Sequence, residues 1–471
     1  MIDGLKPYPK MKDSGLPWSP DVPAHWELVP NRAVLRKRKV LVGIRHSAYQ
    51  LLSLTKAGVI VRDVSTGRGK FSADMGTSQE VRAGDLVFCL FDVPETPRTV
   101  GLSKYDGMIT GAYTVFECRD KQAARFMEAF YIAMDDRKLL SPLYSGLRHT
   151  IPPSVFLGAK TPLPPPDEQA AIVRFLDHAD RRIRRYIRAK QKLIKLLEEQ
   201  KQAIIHRAVT RGLDPDVRLK PSGVEWLGDV PEHWEVVPLK RIGTVRIGLT
   251  YSPGDVCGES GTLVLRASNV RNGRVVRADD VRVSRPVPTT LRVLEGDILV
   301  CVRSGSRSLV GKSALITREF DGVSYGAFMS LLRSVDNRFY FRVLNSNLLP
   351  TVMAQFETST INQLTQRDLR SLVVSLPPDT ERAEIADFLD KETTKADQAT
   401  VAAASEITLL REYRTRLIAD VVTGKLDVRK AAARLPQEAE GLEPFDEAEV
   451  EGDAEESDAD DTDGVPEEAE G

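Results

Sequence analysis

The sequence predicts an α+β protein. It should hold two mixed α/β domains, each followed by a long helix, with the two helices packed as an antiparallel coiled coil and the halves related by a pseudo-twofold internal repeat. Three observations carry this. Ser14–Pro30 (SGLPWSPDVPAHWELVP) and Ser222–Pro238 (SGVEWLGDVPEHWEVVP) share eleven of 17 positions. Leu163–Asp177 (LPPPDEQAAIVRFLD) and Leu376–Asp390 (LPPDTERAEIADFLD) match at an offset of 213, and the match runs on to Asp214 and Asp427. After each second motif comes a stretch of more than forty residues without Pro or Gly.

The elements follow in order. Residues 1–13 are an extension. Residues 14–160 and 222–375 carry short apolar runs broken by Gly and Pro, which predict strands at Leu51–Leu54, Val59–Val61, Leu86–Phe91, Leu263–Leu265, Val275–Val276, Ile298–Val302 and Leu372–Leu376. A helix is expected at Lys121–Leu140, with Ala123, Phe126, Met127, Phe130 and Met134 on one face. Two short echoes align the halves: Ala83-Gly84-Asp85-Leu86 with Glu295-Gly296-Asp297-Ile298, and Gly111-Ala112 with Gly326-Ala327.

Residues 161–212 hold the first long helix, from Glu168 to Thr210, with Asp167 as N-cap and Gly212 as stop. Residues 213–221 are a linker, and 376–428 hold the second long helix, Glu381–Val422. In the first, Ile172, Ala179, Tyr186 and Leu193 recur every seven residues, as do Leu176, Ile183, Leu197 and Ile204 with Lys190 interrupting. In the second, Ile385, Leu389, Ala396, Ala403, Leu410 and Leu417 repeat the pattern. Apolar heptads of this kind pack helix on helix. A helix of some 42 residues spans roughly 63 Å.

The net charge of −1 hides an asymmetry. Pro436–Gly471 holds 17 Asp and Glu and no Lys or Arg, so residues 1–435 carry 66 basic against 50 acidic residues, a net of +16. A basic body suits a polyanionic partner. The tail, residues 429–471, is expected to be disordered for lack of apolar side chains. It is either a solubilising extension or a competitor with the polyanion. No apolar run is long enough to span a membrane and no secretory leader opens the chain, so a cytoplasmic location is expected. Cys89, Cys118, Cys257 and Cys301 stand apart, which argues against a disulfide framework or a zinc site.

LPPPDEQAAIVRFLD opening a long helix, duplicated after a second variable domain, resembles the DNA-specificity subunit of Type I restriction–modification systems. So does the DVPxHWExVP segment that opens each half. The resemblance covers Ser14 to about Val428; the acidic tail has no place in it. It implies two target-recognition domains, each reading one half of an interrupted, asymmetric DNA site. It also implies long helices that set the spacing and dock methyltransferase subunits, two of them expected, with restriction/translocase subunits as further partners. S-adenosylmethionine, ATP and Mg are then expected only on those partners, with no cofactor, metal or catalytic residue in this chain.

Base reading needs Arg, Lys, Asn or Gln on loops that reach base edges. The candidates in the first domain are Arg68 and Lys70, in a Gly-spaced loop with Thr66, and Arg148 and His149, placed beside Ser145 where Asn362 and Gln363 lie in the repeat. In the second they are Asn269, Arg271 and Arg274 in one polar turn, Arg303, Arg307 and Lys312 after the Ile298–Val302 strand, and Asn362 and Gln363. Each also reads as a solvated turn, and most such contacts go to phosphate. The packing and docking candidates are Ile172, Leu176, Ile183, Tyr186, Leu193, Leu197, Ile385, Leu389, Leu410 and Leu417. The basic run Arg181–Lys195 is either a solvated helix face or a backbone contact. His25-Trp26 and His233-Trp234 are read as packing, not catalysis.

Enzyme signatures fail. Five residues separate Gly305 from Gly311, where a phosphate loop needs four, and Gly67-Arg68-Gly69 lacks a third glycine. No [DNS]PP[YFW] tetrapeptide of an adenine methyltransferase is present. A diverged enzyme and a purely structural coiled-coil protein are the competing readings.

Overall fold

The structure, a computed structural model, describes residues 5–62, 75–258, 260–304, 309–349, 351–352 and 363–436. It divides into two compact units. The first takes the described residues of Met1–Lys190 and Ser405–Ala454, the second those of Gln191–Ala404. Each therefore owns one globular domain and a half of each long helix.

In the first unit a four-stranded antiparallel sheet runs in the order Leu35–Arg38, Thr114–Cys118, Leu86–Phe88, Val100–Leu102. The helix Lys121–Asp136 is capped by the Asp120 carboxylate, which accepts from the Gln122 amide. It buries Ala123, Phe126, Met127, Phe130 and Met134, as expected. In the second unit the same four positions recur as Gly243–Ile247, Met329–Ser334, Ile298–Cys301 and Ser313–Leu315. A hairpin, Val270–Arg271 with Arg274–Val275, extends that sheet to six strands. The short echo found in sequence has a purpose here. Asp85 and Asp297 each accept a turn amide (from Arg82 and Leu294) and each pair with a sheet arginine, Arg38 at 2.9 Å and Arg333 at 2.6 Å.

The long helices run Pro166–Arg211 and Asp379–Val422. Pro166 is itself helical, so Asp167 lies in the first turn and is not the cap. In the first unit Asp180 pairs with Arg414, and Lys190 with Glu406 at 2.7 Å; in the second Lys201 pairs with Asp397 at 2.7 Å. Partner numbers fall as helix numbers rise, which makes the packing antiparallel.

The seam departs from the heptad. Ile172, Leu176, Ile183, Ile385, Leu389 and Leu417 are buried, and Leu197 and Leu410 half-buried. Tyr186 and Leu193 are 54% and 40% exposed. Their places are taken by Ile187, buried, and Ile194, half-buried. From Ile172 to Ala208 the inward face advances 36 residues in ten steps, and from Ile385 to Val421 it does the same. That is the 3.6-residue period of a straight helix. A strict seven-residue repeat drifts about 20° per heptad against it, enough to carry Tyr186 and Leu193 out of the seam.

The duplicated motifs are two halves of one clasp. In the first unit Glu168, in the opening turn of its helix, accepts from Trp26 Nε1 (2.8 Å) and the Tyr8 hydroxyl (2.5 Å) and bonds His25 Nε2 (2.7 Å). In the second Glu381 accepts from Trp234 Nε1 (2.8 Å) and bonds His233 Nε2 (2.7 Å). Both tryptophans are fully buried. Each also meets the glycine that ends the other long helix. A Cβ on Gly424 would lie 3.3 Å from Trp26 and 2.2 Å from Pro23; one on Gly212 would lie 3.2 Å from Trp234. Both glycines sit at φ +74, where a side chain is strained.

Two expected boundaries move. Residues 5–13 are not a mere extension: Tyr8 is buried, Met11–Asp13 pairs with Asp21–Pro23, and the Asp427 amide donates to the Lys6 carbonyl. Residues 429–436 are not part of a disordered tail: Arg429–Ala433 is helical and buries Ala432. Residues 437–471 lie outside the described residues.

Candidate nucleic-acid interface

In each unit the best candidate surface is built at the end of the strand that holds the same place in its own sheet. Strand Leu86–Phe88 continues into Leu90, whose carbonyl accepts from the Ile151 amide at 2.7 Å. Strand Ile298–Cys301 continues into Val302, whose carbonyl accepts from the Leu364 amide at 2.7 Å. Ile151 and Leu364 stand 213 residues apart, the offset of the repeat. The thiols match too: Cys89 donates to the Phe91 carbonyl and Cys301 to the Arg303 carbonyl. Burial pushes the Cys89 thiol above its usual range, which disfavours the thiolate. One loop pair is thus held at the same place in both units, and the residues it presents differ.

In the first unit the loop is a tight turn. Ser145 and Thr150 exchange backbone hydrogen bonds of 2.8 and 3.1 Å, and Gly146 and His149 sit at φ +67 and +42. Arg148 and His149 are exposed at its tip, and the Arg148 carbonyl accepts from the Asp92 amide. Leu147, just before Arg148, is fully exposed. It was not foreseen, although a lone apolar residue inside the turn SGLRHT is a readable signal.

In the second unit Arg303 and Gln363 face each other across an isolated bridge, both exposed. The Arg303 guanidinium lies over the Phe328 ring, 5.0 Å from its centre, which fixes the side chain. Exposed Lys312 joins them, its carbonyl accepting from the Cys301 amide. Arg303, Lys312 and Gln363 are therefore brought together. Arg271 and Arg274 stand opposite each other on the added hairpin, both exposed. Its turn, Asn272-Gly273 at φ +50 and +75, is directed by the pairing register toward the same end of the sheet.

Asn269 does not belong to this surface. It is 1% exposed, its amide donates to the carbonyls of Val276 (3.1 Å) and Ala278 (2.7 Å), and its oxygen accepts from the Arg266 amide. Asparagine is a turn-former as readily as a reader of adenine, and here the turn uses it. Arg68, Lys70, Arg307 and Asn362 lie outside the described residues. On the basic helix Arg184 joins Asp180 and Lys190 joins Glu406, while Arg182, Arg185, Lys192 and Lys195 are exposed. Among the described residues no group of His, Cys, Asp or Glu could hold a metal ion. No helix among them is long and apolar enough to cross a membrane.

No protein-family model matches the chain. It is 27% identical over 207 residues to the Type I restriction enzyme EcoKI specificity subunit of Escherichia coli (strain K12), a match covering 42% of this chain and 44% of that subunit. The putative MjaX specificity subunit of Methanocaldococcus jannaschii is 25% identical over 274 residues, 57% of this chain and 60% of that one. Over these stretches the chain is similar to Type I restriction enzyme specificity subunits. The matches span less than two thirds of these specificity subunits. The fold agrees over a longer stretch. A solved chain from work on complex assembly and conformational transition of the type I R-M system superposes with a TM-score of 0.63 over 86% of this chain and 99% of that one, at 16% identity.

Proposed function

We propose that this chain is the sequence-reading subunit of a Type I restriction–modification assembly. Each unit would read one half of an interrupted, asymmetric double-stranded DNA site. The supporting observation is the pair of equivalent loops, anchored by the same backbone hydrogen bond and armed with different residues: Arg148 and His149 in one, Arg303 and Gln363 in the other. Identical readers would suit a palindrome, whereas unlike readers on a common frame suit an asymmetric site. Guanidinium and amide groups are the side chains that discriminate guanine and adenine in the major groove.

The long helices, about 69 and 66 Å at 1.5 Å per residue, would set the spacing between half-sites and dock two modification subunits. DNA presents the same groove every ~34–36 Å, so fixed spacing needs stiff elements of this length. Chemistry would belong to the partners: S-adenosylmethionine on the modification subunits, ATP and Mg on the restriction/translocase subunits, no cofactor here, and the whole assembly in the cytoplasm.

The test is to map methylated adenines in cells with and without the gene, then with Arg148 and His149 replaced together by Ala. The expected result is loss or change of one half-site with the other retained. Methylation of an interrupted site by the purified chain alone, given S-adenosylmethionine, would overturn the assignment. So would absence of DNA binding by the assembled complex at low salt, where phosphate contacts are strongest.

A further inference from the structure

The two long helices leave an apolar groove in the first unit. Ile183, Tyr186, Leu409, Leu410 and Tyr413 form its walls, its volume is about 480 Å³, and Arg182 stands at its rim. Tyr186 is 54% and Leu409 60% exposed, while Ile187 and Leu417 nearby are buried. Lys190 and Glu406, paired at 2.7 Å, close one end. Apolar surface held open to water gains free energy when covered.

The chain itself brings a cover to this place. The last described residues are held on the same helix: Arg174 donates to the carbonyls of Leu435 (2.7 Å) and Pro436 (3.1 Å). Arg174 lies nine residues before Ile183, about 14 Å along the helix. Leu442 lies six residues beyond Pro436 and Phe445 nine, so extended chain reaches about 20 and 30 Å. The sequence there, Glu438-Ala-Glu-Gly-Leu-Glu-Pro-Phe-Asp-Glu-Ala-Glu-Val450, sets two large apolar side chains among carboxylates. Pro444 favours extended backbone before it. The exposed basic side chains next to the groove, Arg182 and Arg185, carry the complementary charge.

We propose that this groove is the docking site of the chain's own C-terminal segment, residues 438–450. Leu442 and Phe445 enter the groove, and Glu443, Asp446 and Glu447 face Arg182 and Arg185. An occupied groove is closed to a partner, so the segment competes in cis with the docking proposed for these helices. That consequence rests on the proposed function; the docking does not.

The experiment uses the chain ended at Pro436 and a fluorescent peptide of residues 437–451, read by anisotropy. The truncated chain should bind the peptide and the full chain at least tenfold more weakly, because its own segment fills the groove. Peptide with Leu442→Ala and Phe445→Ala should bind at least tenfold more weakly, and Arg182→Glu with Arg185→Glu in the truncated chain should weaken binding further as salt falls. Equal binding of a scrambled peptide of the same composition, or equal binding by full and truncated chains, overturns the proposal. As a second measurement, Phe445→Cys with Leu409→Cys in the full chain should form a disulfide within one chain. A bond that instead joins two chains overturns docking in cis. Neither measurement uses DNA or a partner subunit, so DNA reading can fail while docking stands, and the reverse.

Discussion

Replacing Glu168 by Ala tests whether the clasp at the head of the long helix holds the first unit together. Glu168 is 5% exposed and serves Trp26, which is fully buried, Tyr8, 4% exposed, and the more open His25. Truncation leaves the indole N–H and the phenol without an acceptor. A buried donor stranded in this way costs about 1–3 kcal/mol, and a charged acceptor places it toward the upper end. His25 turns to water at little cost. Two stranded donors give about 4 kcal/mol. A unit of this size loses about 2–4 °C of Tm per kcal/mol, so its transition should fall by about 8–16 °C. Glu381 provides an internal control. It is about one-third exposed, has no tyrosine partner, and strands only Trp234 among buried donors, so Glu381→Ala should cost about half as much. The two units need not unfold together, so hydrogen exchange should be followed separately at 166–175 and 379–388 alongside calorimetry. A shift under about 2 °C for Glu168→Ala, or an equal cost for Glu381→Ala, refutes the argument.

Other consequences follow from the same geometry. On the proposed function, Arg303→Ala should cost about 1–3 kcal/mol at the half-site assigned to the second unit and nothing at the other, measured with oligonucleotides altered in one half. Asn269→Ala should instead lower the stability of the second unit, seen in denaturant unfolding, because it empties three hydrogen bonds inside a turn. Gly424→Ala should be worse than Gly212→Ala, since the new Cβ meets Pro23 at 2.2 Å where Gly212 meets an indole edge at 3.2 Å; thermal melts of the two variants give the order. The Arg429 hydrogen bond holds the Asp427 carboxyl below its usual 3.8. Its stabilisation is therefore complete above about that pH and is lost as pH falls through the lower folded value. Asp427→Asn should flatten that acid-side loss in a pH series of melts.

Much of the fold was legible because short patterns govern it. The strand runs, the Lys121 helix and its buried face, and the limits of the long helices follow from local periodicity and from where Pro and Gly stand. The seam was less legible. Ile187 and Tyr186 are neighbours, and a heptad count picks one while a straight helix buries the other. Asn269 shows the same limit for the candidate surface: a polar residue in a polar turn fits a reader and a turn-former equally, and only its hydrogen bonds separate them.

The repeat, and the presence of two diverged domains between shared ends, were determined by the sequence alone, because identities at a fixed offset need no coordinates. The union of HWE with the helix-opening glutamate was decided by the tertiary structure. Residues 142 apart become partners only when a buried indole N–H must find an acceptor and a buried carboxylate must find donors. The same is true of the candidate loops. Arg303 and Gln363 are 60 positions apart, and the backbone bridge between them, not any spacing in the chain, places both at one end of the sheet.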